Sequence, residues 1–286
     1  MQQKLRIAVQ KSGRLQEESV RLLREAGLDI ATGKNKLKAS AANFPVELFF
    51  LRDDDIPQYV ADGVADAGII GRDVYAEQGS ANTIAAALGF ARCRLSIAVP
   101  SEVMYPGVAW LQGKRIATSF PNLLQQFLDR HQVQAEVHVV SGSVEITTGI
   151  GLADAICDLV STGSTLAGNN LKEVQQVFAS EAIMIANPAI DEARRQLLDC
   201  LLFRIAAVQK ASRYKYILLN CPDAAVEVVS AIIPGMKSPT ILPLATAGWS
   251  SLHSVVDEND FWLRIDRLKA AGAEGILVVP IEKMIL

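Results

Sequence analysis

Short apolar runs alternate along this chain with longer amphipathic stretches, and that alternation narrows the possible folds more than any other feature. Residues 5–9, 46–51, 67–70, 95–99, 115–118, 135–140, 155–160 and 181–186 read as strands. Between them, 15–26 carries Leu15, Val20, Leu22, Leu23 and Ala26 among charges, with Gly27 placed to end a helix. Residues 56–62 start a short helix at Pro57, and 121–131 and 190–211 read as further helices. Strands interleaved with helices predict an α/β fold. From about Ser212 the rhythm changes. Strands at 214–219, 240–245, 249–256 and 275–279 frame helices at 222–233 and 260–271, the β-α-β-β-α-β order of ferredoxin-like modules.

Composition limits the function classes. Half of the 286 residues are hydrophobic and 21% are charged, enough for sizeable cores and incompatible with disorder. Lysine and arginine total 28 against 31 acidic residues, so no global basic field suits nucleic acid. Cys93, Cys157, Cys200 and Cys221 form no CxxC pair, and His131, His138 and His253 form no HExxH, so zinc is not expected. The opening MQQKLRIAVQKSGR does not read as a secretory signal, and no run has the roughly 18 apolar residues of a membrane span. A cytoplasmic protein is expected.

Three familiar motifs fail on inspection. Gly149-Ile-Gly151-Leu-Ala-Asp154 lacks the third glycine of GxGxxG and precedes a strand. Gly63 and Gly68 have P-loop spacing, but Ile69-Ile70 stand where Lys-Ser/Thr is needed. Gly-x-Ser-x-Gly is absent.

The most informative stretch runs from Asp154 to Leu166. Asp154 and Asp158, four apart on a strand, face one side, and the strand runs into Ser161-Thr162-Gly163-Ser164-Thr165. Free N–H groups at a helix start, with hydroxyls beside them, make an anion cradle. Adjacent carboxylates suit sugar hydroxyls. A helix cap with spare hydroxyls explains the same residues about as well. Lys11, Gly13 and Arg14 follow the first strand, where α/β sheets bind ligands, and Arg14 offers a fork for phosphate. Arg52-Asp53-Asp54-Asp55 follows another strand and reads either as an acidic turn or as help for Mg²⁺. Gly68-Ile-Ile-Gly71-Arg72-Asp73, Cys93-Arg94 and Lys114-Arg115 mark further strand ends. Lys34, Lys36 and Lys38 read as a solvated face within reach of a polyphosphate.

Taken together, these residues resemble the ATP phosphoribosyltransferases, in the long form with a C-terminal regulatory domain. The resemblance rests on QKSGRL at 10–15, RDDDIP at 52–57, GIIGRD at 68–73, CRLSIA at 93–98, KRIATSFP at 114–121 and GSVE at 142–145. It continues in GLADAICDLVSTGSTL at 151–166, SPTILPL at 238–244 and ILVVPIEKM at 276–284. It implies a two-lobed catalytic part like type II periplasmic binding proteins, with lobes 1–90 plus 181–211 and 91–180, and a regulatory domain at 212–286. It also implies Mg²⁺, a homodimer able to form hexamers, and inhibition by histidine. Carried over by position, Asp154, Asp158 and Ser161 to Thr165 would hold the ribose and 5-phosphate of phosphoribosyl pyrophosphate. Lys11, Gly13 and Arg14 would face the reacting phosphates, with Glu145, Arg52, Asp73 and Arg94 around the pocket. Asn220 and Thr240 are the candidate histidine contacts.

The chain departs from the family pattern at three places. Glu145 is followed by Ile146-Thr147-Thr148 in place of a Val/Ile-Ala-Pro run, Asn169-Asn170 replaces Asn-Gly, and Asn35 stands where arginine is frequent. Two other readings use the same residues: a solute-binding or effector-sensing module on the two-lobed scaffold, and a catalytically silent regulatory paralogue.

Overall fold

The computed structural model describes residues 3–31 and 37–285, so Lys34, Asn35 and Lys36 of the lysine-rich stretch lie outside the described residues. Contacts divide the chain into two units, Met1–Arg24 with Leu28–Asp199, and Glu25–Gly27 with Cys200–Leu286.

The first unit contains two sheets. The elements of one are β1 (Leu5–Gln10), α1 (Arg14–Glu25), β2 (Lys38–Ser40), β3 (Val46–Leu51), α2 (Ile56–Ala61), β4 (Ala67–Gly71), α3 (Arg72–Gln78) and β5 (Thr83–Ala87). The chain then builds β6 (Cys93–Pro100), β7 (Arg115–Thr118), α4 (Pro121–Arg130), β8 (Glu136–Val139), β9 (Ala155–Val160), α5 (Ser164–Gly168) and β10 (Leu171–Ser180). It returns through β11 (Ala182–Ala186) to the first sheet, whose order is β2-β3-β1-β4-β11-β5. The second sheet runs β10-β6-β9-β7-β8. Each sheet has three consecutive parallel strands: β3-β1-β4, with antiparallel strands on both sides, and β9-β7-β8, with antiparallel strands beside β9 only. Two α/β lobes joined by two crossing segments are the arrangement of type II periplasmic binding proteins.

Central parallel strands are covered on both faces, which requires unbroken apolar runs. Ile7, Ala8 and Val9 of β1 and Ile69 and Ile70 of β4 are fully buried. In the second lobe, Ile97, Ile116 and Cys157 from three strands pack with Leu124, Phe127 and Leu128 on one face of α4. That spacing is the apolar stripe visible in the sequence.

A single helix, α6 (Glu192–Ser212), contains the division between the units, at Asp199/Cys200. The second unit then contains β12 (Tyr214–Pro222), α7 (Val226–Ile232), β13 (Thr240–Pro243), β14 (Trp249–Asp257), α8 (Glu258–Ala270) and β15 (Glu274–Pro280). Its antiparallel order, β13-β14-β12-β15, is the ferredoxin-like one. Residues 222–225, read from sequence as helix, continue β12 and then form a 3₁₀ turn (Asp223–Ala225).

Candidate active site

The carboxyl ends of strands from both sheets meet at one cavity of about 310 Å³. From the first sheet come Gln10 at the end of β1, Arg14 at the start of α1, Asp53 beyond β3, and Gly71 and Asp73 beyond β4. From the second come Leu159 and Ser161 at the end of β9, while Ala91, Arg92 and Cys93 of a crossing segment complete the wall. Burial and the charge of Asp73 push the Cys93 thiol up, so it faces the cavity as a neutral group. Open α/β sheets bind ligands at these strand ends because helix starts and loops converge there.

Arg14 is exposed, and Glu18 one turn along α1 holds its Nε at 3.3 Å. The other oxygen of Glu18 accepts the Ala91 N–H at 3.1 Å. Gly13 has φ +91, and Lys11 donates its backbone N–H to the Leu51 carbonyl at 2.8 Å, leaving the lysine side chain exposed.

At the second lobe, Gly163 at φ +81 turns the chain directly from β9 into α5. The Thr162 and Ser164 hydroxyls lie 3.1 Å apart, and both are exposed. Thr165 gives its carbonyl to Asn169. Burial raises the Asp158 carboxyl above its usual value, with the Glu145 charge pushing the same way. Glu145 is half-buried in a 3₁₀ turn (Val144–Ile146). The hydroxyl of Thr147, one of the departures, donates to the Val144 carbonyl at 2.7 Å, so the turn is closed rather than loosened. Asn170 has φ +57, within the range asparagine tolerates where the family has glycine.

Three candidates have side chains held by partners remote in sequence. Asp154 lies before β9, at the end opposite the loop, and binds Arg115 through its guanidinium (2.9 Å) and backbone N–H (2.9 Å). That pairing holds the Asp154 carboxyl below its usual range. Asp158 therefore stands beside the loop without Asp154. Arg94 forms an ion pair with Glu173 and donates to the Ser161 carbonyl at 3.3 Å, so it braces the loop from behind. Asp73, 5% exposed, accepts from the Ser180 hydroxyl, which in turn accepts the Asp73 N–H at 3.0 Å. Arg52 is exposed and caps the acidic 3₁₀ turn with its carbonyl.

Asp154→Ala is expected to lower the melting temperature by a few degrees at neutral pH and to leave ligand affinity unchanged. A depressed carboxylate stabilises above its unfolded value of about 4 and loses that contribution as pH falls, so the difference should vanish in acid. Thermal melts from pH 3 to pH 7 measure it.

Comparison with known proteins decides the family. The family model described as ATP phosphoribosyltransferase matches residues 52–207, and HisG, C-terminal domain, matches 211–283. The ATP phosphoribosyltransferase of Cytophaga hutchinsonii is 56% identical over 281 residues, covering 98% of each chain. That of Phocaeicola vulgatus is 54% identical over 282 residues, covering 99% of this chain and all of the relative. The chain belongs to the ATP phosphoribosyltransferase family. A solved complex, ATP phosphoribosyl transferase (HisG:HisZ) from Thermotoga maritima, aligns with a TM-score of 0.60 and 28% identity, over 71% of this chain and 96% of that one.

The family is one of histidine-biosynthetic phosphoribosyltransferases. The candidate effector residues lie in the second unit. Asn220 sits within β12, two residues before its end, opposite Ser251 and Glu274. Thr240 opens β13 opposite His253. Ser251 and His253 alternate to the same face of β14, so the register sets Asn220 and Thr240 on one side of the sheet. His253 bridges Tyr216 (3.0 Å) and Ser251 (3.2 Å) there. Glu18, which holds Arg14, was hidden in the sequence; its local signal is a spacing of four from Arg14. Among the described residues no helix is long and apolar enough to cross a membrane.

Proposed function

We propose that this chain transfers phosphoribosyl from phosphoribosyl pyrophosphate to N1 of ATP. The observation that carries the reading is the cavity itself, with Arg14 on one lobe and the Ser161 end of the hydroxyl loop on the other. The ribose 5-phosphate takes the N–H groups and hydroxyls of 161–165, and Asp158 accepts from the ribose. The lone pair on adenine N1 forms the new C–N bond at the anomeric carbon. The C–O bond breaks, and its electron pair leaves with pyrophosphate. The ring nitrogen needs no strong base, so the work is alignment and stabilisation of the leaving charge. Arg14 supplies a planar fork to the leaving phosphates, and Lys11 a mobile second charge.

Among the described residues no three His, Cys, Asp or Glu side chains gather as a metal cage. A Mg²⁺ here would therefore take most of its ligands from substrate phosphates and water, with Asp53 on the cavity wall as the carboxylate within reach. When bound, that ion would neutralise phosphate charge. The test is incubation with ATP, phosphoribosyl pyrophosphate and Mg²⁺, reading the absorbance of an N1-substituted adenine. No product would sink the reading.

The second unit is the histidine sensor in this reading, within a homodimer that associates to hexamers. Histidine must favour an inhibited arrangement, one in which the lobes cannot close, over the active one. Thr240→Val should weaken histidine inhibition roughly tenfold or more, the cost of one hydrogen bond to a charged ligand. Uninhibited turnover should not change. Inhibition curves on the full chain measure it, and an unaltered half-inhibition concentration removes Thr240.

A further inference from the structure

Two chain segments cross between the lobes of the catalytic unit, and they are bonded to one another. Ser180 pairs with Cys93, and the Ala182 N–H donates to the Phe90 carbonyl at 3.0 Å. A third connection is made by a side chain. Glu77, on α3 of the first lobe, accepts the Asn122 N–H at 2.8 Å through one carboxylate oxygen and the Leu123 N–H at 2.9 Å through the other. The Asn122 side chain returns a bond to the Glu77 carbonyl at 3.0 Å.

These N–H groups are the unpaired donors at the start of α4, in the second lobe. The local sequence cannot satisfy them. Phe120 occupies the cap position and makes no side-chain cap bond, and Pro121 carries no N–H. The cap is supplied from the other lobe, and a carboxylate at a helix start gains from the positive end of the dipole. The same α3 holds the crossing strands at its other end, through Asp73 and Ser180. One short helix of the first lobe thus grips the second lobe at two separate points.

We propose that Glu77 is a positioning residue for the transfer: its clasp on α4 fixes the spacing between the Arg14 side and the Ser161 side of the cleft. The inference rests on the cleft being the substrate site. Loosening the clasp spreads the lobes over wider openings, and apparent affinity falls in proportion to the competent fraction that remains. Saturating substrate restores that fraction, so turnover is preserved.

The experiment uses the full chain carrying Cys93→Ser and Cys200→Ser, which removes the two cysteines that are not buried, with spin labels at Gln58→Cys and Gln126→Cys, one exposed position on each lobe. Inter-label distances are measured without substrate, with and without Glu77→Ala or Glu77→Gln. The alanine variant should broaden the distribution. The glutamine variant, which keeps one acceptor oxygen, should broaden it less. In unlabelled protein both KM values should rise about three- to tenfold with kcat within about twofold. An unchanged distribution in folded Glu77→Ala overturns the clasp. So does a fall in kcat at constant KM, which is the signature of lost active protein. Should the unmutated chain transfer nothing to ATP, the functional reading fails and the distance measurement alone decides the clasp.

Discussion

Arg14→Ala should lower turnover by about 10²–10³, the loss typical of removing one preorganised donor from developing negative charge. The Michaelis constants should move much less. Charge accumulates on pyrophosphate only as its bond to the sugar breaks, so a contact aimed there acts mostly in the transition state. Two observations give this residue its weight. It stands at the start of α1, where the positive end of the dipole adds to its own charge, and Glu18 tethers its Nε while leaving the rest of the guanidinium exposed. Arg14→Lys should recover only part of the loss, because an ammonium lacks the planar fork. Steady-state rates with each substrate varied in turn separate the two parameters, and normal turnover in Arg14→Ala would take the residue out of the mechanism.

Asp158→Asn should weaken phosphoribosyl pyrophosphate about ten- to a hundredfold, the cost of a lost hydrogen bond to a charged group. It should also make the ligand-free protein more stable. Burial and the Glu145 charge raise the carboxyl in the folded state, so its ionised form carries a penalty that the amide does not. The sign follows directly. Below about pH 4 the carboxyl is protonated folded and unfolded, and the variant gains nothing. As pH rises through the raised folded value, the penalty grows in and the variant pulls ahead. Calorimetric titration and thermal melts at pH 3 and pH 7 measure the two effects. Equal affinity in a folded variant would reduce the loop to a helix cap, and Thr162→Val offers an independent check of the same cradle.

The inner parallel strands of both sheets were legible because strands covered on two faces are mostly apolar: 46–51, 115–118 and 155–160 stand at the bounds read from the sequence. The elements that escaped lack that signal. The antiparallel edge strand β10 is half polar, since an edge needs only one covered face. The seven residues of α3 are too few to display a helical period. At the cavity, strand ends pointed to Arg14 and Ser161, because a position at a strand end is a local property. Asp154, Arg94 and Asp73 carried the right chemistry for substrate, but each is engaged by a residue remote in sequence: Arg115, Glu173 and Ser180. Spacing cannot reveal such pairings. Asn220 follows the strand read at 214–219, yet β12 continues through it to Pro222.

The insertion of β11 between β4 and β5 has a consequence for how the protein is made. β5 joins its sheet through β11, which is synthesised only after the whole second lobe. A ribosome that has released residue 180 has supplied all five strands of the second sheet, contiguous from β6 to β10. The first sheet at that moment still lacks an inner member, and the free edge of β4 is open to wrong partners. The lobe that begins the chain is thus the later of the two to close. The interval between residues 93 and 186 is the period in which a nascent chain most needs protection from its neighbours.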